Sequence, residues 1–154
     1  MGLDMNLYLE HTIYESKYRD ENLTYPKEIT YYIPYDDYGI ERVTTYEVAY
    51  WRKANAIHNW ITKCVGQTEI NCEKIYLTIE QLEQLVNDCK EALNAEYPDE
   101  FLPTTSGFFF GSTEYGEYYY STVRETITMV EPVIEFLKAH SDNHEWKVYY
   151  RAWW

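Results

Sequence analysis

Positive charge is scarce in this 154-residue chain: 13 lysines and arginines stand against 26 aspartates and glutamates, for a net charge of −13. An acidic field repels nucleic acid over a Debye length of about 8 Å. Direct DNA or RNA binding needs clustered Lys and Arg, so it is disfavoured. The same charge favours a protein partner with a basic surface, or occupation of a nucleic-acid channel in place of phosphates. Plain solubility is the simpler alternative. Cysteine is scarce too. Cys64, Cys72 and Cys89 are odd in number and match no zinc spacing such as C-x2-C. Cys64 and Cys89 fall on apolar helical faces, which predicts buried free thiols. No stretch approaches the roughly 20 apolar residues of a membrane span. Residues 1–14 include Asp4, Glu10 and His11 and lack the basic head and apolar run of a leader. The chain reads as soluble and cytoplasmic, with no membrane partner. It has no internal repeat and no low-complexity tract.

Catalytic signatures are missing as well. There is no H-E-x-x-H, no G-x-S-x-G and no phosphate loop ending in G-K-[ST]. The histidines, His11, His58, His140 and His144, are dispersed. His140, Asp142 and His144 share a polar turn, a pattern more often solvated than metal-binding. On one helix, His58 and Cys64 would differ by about 120°, too far for a nucleophile pair. The expectation is no catalytic residue, no metal site and no cofactor: a binding protein and not an enzyme.

What the chain has in quantity is aromatic surface: 18 tyrosines and 5 tryptophans. These side chains bury large areas while keeping a polar tip, which suits half-buried sheets and adhesive surfaces. Disordered chains are poor in them. The length fits one domain over residues 1–154, with a self-sufficient core.

Residues 3–14 alternate Leu3, Met5, Leu7 and Leu9 with Asp4, Asn6, Tyr8 and Glu10, the period of a strand with one buried face. A charged loop follows over 15–22. Residues 27–33 alternate again, and Pro34 ends that strand. The Tyr-Asp-Asp-Tyr-Gly turn at 35–39 leads into a strand over 40–46. This predicts a tyrosine-rich hairpin over about 25–46 that could protrude. Tyr31, Tyr35, Asp36, Asp37 and Tyr38 are its candidate partner surface. A sheet edge kept soluble by acid is the alternative.

A helix is predicted from about 47 to 65, stopped by Gly66. Tyr50, Ala54, Ile57, Ile61 and Cys64 would form its core face. Beside them run Glu47, Trp51, Asn55, His58 and Thr62, with Arg52 nearer solvent. A short strand over 74–77 precedes Thr78-Ile79-Glu80-Gln81, a capping box that opens a helix to about residue 95. In the loop that follows, Gly107-Phe108-Phe109-Phe110-Gly111 reads as a short buried segment, and an anion could rest on the N–H groups of 111–113 if a helix began there. The alternative is a tightly packed linker. A third helix is predicted over about 118–139, interrupted by Pro132. A last strand over 146–154 could pair with the first.

These elements predict an α+β fold: a small, mostly antiparallel sheet of N-terminal strand, hairpin and C-terminal strand, packed on about three helices. The candidate ligand or partner site is Glu47, Trp51, Arg52, Asn55 and His58 meeting Ser112, Glu114, Tyr115 and Tyr118. It forms only if the two stretches adjoin. Otherwise the helix stripe is sealed by its own neighbours, and function moves outward to the hairpin.

Three stretches carry a resemblance. They are MGLDM at 1–5, YWRKANAIHNW at 50–60 and LPTTSGFFFGSTEYGEYYY at 102–120. With them the chain resembles a family of small proteins encoded by bacteriophages and prophages. The match covers somewhat under a quarter of the chain and leaves 15–45 outside it. The resemblance implies an accessory protein acting in the bacterial cytoplasm, one that inhibits a host or defence protein of the CRISPR or restriction type. The second reading is a small-molecule or nucleotide-signal binder using 47–62 and 107–118, and the third a nucleotide-acting enzyme. A homodimer is left open.

Overall fold

A computed structural model describes residues 2–16, 38–67, 72–141 and 145–154. The chain enters as a long strand, β1 (Asp4–Ser16), and returns as β2 (Tyr38–Arg52). Helix α1 (Asn55–Cys64), strand β3 (Ile75–Leu77) and helix α2 (Ile79–Asn94) follow. A 3-10 turn at Pro98–Glu100, helix α3 (Glu117–Ala139) and strand β4 (Trp146–Trp153) complete it. The four strands lie in the order β2-β1-β4-β3, and every pairing is antiparallel. The fold is α+β, as the pattern implied, and the N- and C-terminal strands are neighbours in the sheet.

The period of two in β1 divides the sheet into two faces. Leu3, Met5, Leu7 and Leu9 are buried with Ala49 and Trp51 of β2 and Val148, Tyr150 and Ala152 of β4. On this layer pack Ile57 and Ile61 of α1, Leu82, Leu85 and Cys89 of α2, and Val123, Val130 and Leu137 of α3. Each such aliphatic side chain stabilises the fold by about 1.5–3 kcal/mol through burial. The opposite face carries Tyr50, Tyr76, Lys147 and Arg151, all exposed. Helix α2 opens with both bonds of its capping box, Thr78 to the Gln81 amide and Gln81 back to Thr78. Helix α3 runs through Pro132, and Lys90–Glu131 and Lys138–Glu83 pairs tie it to α2.

One expectation is corrected. The helix predicted from residue 47 begins at Asn55, and residues 47–52 belong to β2. The segment satisfies both periods: Ala49 and Trp51 are buried while Glu47, Tyr50 and Arg52 are exposed, an alternation as good as its helical spacing. Val48, Tyr50 and Trp51 favour strand, and β1 supplies a complete ladder for them. The turn into α1 is made at Lys53, which takes a left-handed φ of 55° and donates its N–H to the Leu3 carbonyl. Strand β2, expected as one arm of the hairpin, pairs along one side with β1. The strand expected over 27–33 lies outside the described residues. So do Tyr31, Tyr35, Asp36 and Asp37, while Tyr38 opens β2.

Candidate functional site

Helix α1 and the loop 102–116 are joined by side chains that the helical spacing places on one face. Asn55, at the first turn, donates through Nδ2 to the carbonyls of Phe110 (3.1 Å) and Ser112 (2.8 Å). Its Oδ1 accepts from the Thr105 N–H at 3.1 Å. One turn on, Asn59 donates to the Pro103 carbonyl at 2.8 Å. Tyr115 and Tyr119 close the loop from within, taking the Thr104 N–H and donating to the Leu102 carbonyl respectively. The Leu3 N–H reaches the Phe109 carbonyl. Tight turns are possible here because Gly111 sits at φ 85°, and because a Cβ on Gly107 would lie 2.6 Å from the Phe110 ring. Phe109 itself is left-handed, at φ 74°.

His58 lies below this junction, 5 % exposed. Its Nδ1 is 2.7 Å from the Tyr150 hydroxyl, with Phe110 and Trp154 edge-on to its ring. Burial lowers its pKa to about 4, so the imidazole is neutral at physiological pH. Burial raises the Tyr150 hydroxyl well above its ordinary value, so it holds its proton. The pair is a buried polar contact.

The two distinctive stretches therefore do adjoin, as the candidate site required, but they spend their polar atoms on each other. The crevice left among Lys53, Asn55, Thr104, Ser112, Glu114 and Tyr118 encloses about 20 Å³. That is room for about one water molecule, far below the roughly 300 Å³ at which small-molecule pockets begin. Ser112 Oγ accepts from the Glu114 N–H, and the Tyr118 hydroxyl donates to the Arg52 carbonyl. The remaining candidates are scattered by β2. Glu47 is exposed on the sheet face away from the helices, opposite Tyr8. Trp51 is buried on the helix side and donates to Thr126 Oγ1 at 2.8 Å. Helix α3 starts at Glu117, so residues 111–113 are not at a helix N-terminus. No protein-family model, curated protein or solved structure matches this chain.

No group of three or more His, Cys, Asp or Glu able to hold a metal ion occurs among the described residues. His140 donates its Nδ1–H to the Phe136 carbonyl, and Asp142 and His144 lie outside the described residues. Cys89 is buried, and desolvation pushes its thiol up to about 12. Cys64, expected inside, is exposed, because α1 ends there and leaves it beyond the helix's packed turns. None of the described helices is long and apolar enough to cross a membrane.

Two features were not read from the sequence. The Phe-Phe-Phe run is not buried throughout: Phe108 is 82 % exposed, the most of any large apolar side chain described. Trp153 and Trp154 are also exposed, and the Asp4–Trp153 pairing puts them at the same end of the sheet as the Leu3–Phe109 bond. The glycines at 107 and 111 were the available signal, since they mark a turn whose tip must project a side chain. The second feature is a polar network on the helix-free face. Burial acts to raise the Glu10 pKa, but hydrogen bonds from Lys74 and Tyr76 outweigh it and hold the carboxyl below its ordinary value. Tyr8 stacks on Tyr149 beside this network.

Proposed function

We propose that the protein is a phage-encoded accessory protein that binds and inhibits a host or bacterial-defence protein, of the anti-CRISPR or anti-restriction kind. The observation that carries this reading is the exposed aromatic group at one end of the sheet, Phe108 with Trp153 and Trp154. Large aromatic side chains on rigid supports dominate the energy of protein interfaces. Phe108 stands beside a left-handed Phe109, a conformation costing about 1–2 kcal/mol that its surroundings must hold. Strain of that kind gathers at binding sites. The net charge of −13 would steer such a surface toward a basic partner, by imitation of nucleic acid where that partner grips phosphates. Closure of the α1 crevice supports binding by a surface over binding in a pocket.

The test is affinity capture from lysates of several bacterial hosts, followed by assay of the captured protein's activity. The expected result is a stoichiometric partner that is inhibited on binding, and at least about tenfold weaker binding by Phe108→Asp, the loss of one hot-spot contact. Unchanged affinity in that variant, or no partner from any host, would overturn it. The adjacency of α1 and the loop favours a second reading, a nucleotide-signal binder. It requires the crevice to open, and predicts a raised Tm with some member of a nucleotide library. Flat melting curves across the library would remove it.

A further inference from the structure

Strand β3 stops at Leu77, paired with Val148, and the chain turns into α2, while β4 extends beyond that pairing to Trp146. At this step lies a cavity of about 460 Å³, walled by Tyr76, Leu77, Ile79, His140, Trp146 and Lys147. Small-molecule pockets run from about 300 to 1,000 Å³. The α1 crevice, by contrast, encloses about 20 Å³.

The two places differ in their polar atoms as well. Those of the α1 crevice are spent on each other, and those of this cavity are not. Lys147 forms no ion pair with a described residue, and its ammonium lies 5.8 Å from the centre of the Tyr76 ring. Glu10, opposite Lys147 in the ladder, is already held by Lys74 and Tyr76. The His140 ring is fixed by its bond to the Phe136 carbonyl at 2.8 Å and by stacking on the Phe136 ring, which leaves Nε2 without a partner among the described residues. Trp146 stacks on His11 at 3.9 Å and keeps its indole N–H without an acceptor among the described residues. Among the described residues that wall the cavity stands one lysine and no carboxylate, in a chain of net charge −13.

We infer that this cavity binds a small planar aromatic anion. Its ring lies against Trp146 and His140, where offset or edge-on contact between rings is favourable. Its carboxylate meets the Lys147 ammonium in a charge-assisted hydrogen bond. A ring N–H donates to His140 Nε2. The site is separate from the aromatic end at Phe108 and does not depend on it.

The test is NMR titration of the nitrogen-labelled full chain with indole-3-acetate, which carries a ring, a ring N–H and a carboxylate. The expected result is saturable shifts of the Trp146 indole N–H and of the amides of 76–79 and 146–148. The Kd should be about 1 mM or tighter, as ligand efficiency sets for a probe of about thirteen non-hydrogen atoms. Indole-3-acetamide keeps the ring without the charge, and cyclohexylacetate the charge without the aromatic ring. Each should bind about tenfold more weakly or worse. Lys147→Glu reverses the charge and Ile79→Trp fills the cavity, and each should weaken the probe by about tenfold or more. Lys63→Glu, in the last turn of α1, should leave it unchanged. Circular dichroism and thermal melting confirm that each variant is folded, and either of the first two, once folded, decides. No saturable shift up to about 10 mM probe, shifts away from this wall, equal binding of the amide, or binding indifferent to both substitutions would overturn the inference.

Discussion

At the scale of single residues, Asn55 and His58 show what the α1 stripe holds together. Asn55 satisfies three backbone groups of a loop about fifty residues away. Its removal takes their partner from two carbonyls and an N–H in part-buried surroundings, at about 1 kcal/mol apiece. Asn55→Ala should therefore lower stability by roughly 3 kcal/mol, and hydrogen exchange should show faster amides over 103–113. His58 makes stability depend on pH. Unfolded, it takes a proton through its ordinary pKa of 6.5; folded, it resists down to about 4. The unfolded state binds more protons between those values, so the stabilisation is complete above pH 6.5 and lost as pH falls toward 4. The loss approaches about 3 kcal/mol. Urea unfolding at successive pH values should show it, and the difference from a His58→Phe variant isolates this histidine from the carboxylates.

At the scale of elements, the short-range patterns were legible and the long-range ones were not. The capping box at Thr78 was readable because its two bonds close within four residues. Thr78→Ala should cost about 1 kcal/mol, read as a lower Tm with α2 otherwise intact. Gly66 ends α1's final turn with a φ of 69°, as its place after the periodic run implied. Residues 47–52 were misread because helix and strand periods coincide over so short a span, and a partner strand decided between them. The loop was half legible. Gly107 and Gly111 marked sharp turns, but the burial of Phe110 and the exposure of Phe108 depend on α1. Gly111→Ala would place a Cβ 3.1 Å from that of Lys53 at a left-handed φ. It should destabilise by about 1 kcal/mol or more, measurable by chemical denaturation.

At the scale of the whole molecule, the two faces of the sheet have different fates. One is consumed by three helices. The other carries the exposed Tyr50, Tyr76, Lys147 and Arg151. Phe108→Asp should leave stability within about 0.5 kcal/mol of the parent, because its side chain is almost wholly in solvent. Melting curves that coincide while partner capture fails would separate binding from folding. A fall in Tm of several degrees would instead make Phe108 part of the core.

Sequence alone determined the α+β class, the buried face of β1, the helix start at Thr78 and the acidity of the surface. Each rests on composition or on periods of two and 3.6 residues, which the chain carries locally. Tertiary structure decided where β2 ends and α1 begins, which polar atoms of the α1 stripe are already taken, and which phenylalanine faces water. Those outcomes depend on groups far apart in the chain. A hydrogen bond between Asn55 and Ser112, or a ladder between Asp4 and Arg52, has no local signature. The α1 stripe clamps the loop through Asn55 and Asn59, and the exposed side chains are those whose exposure only the packed chain could set.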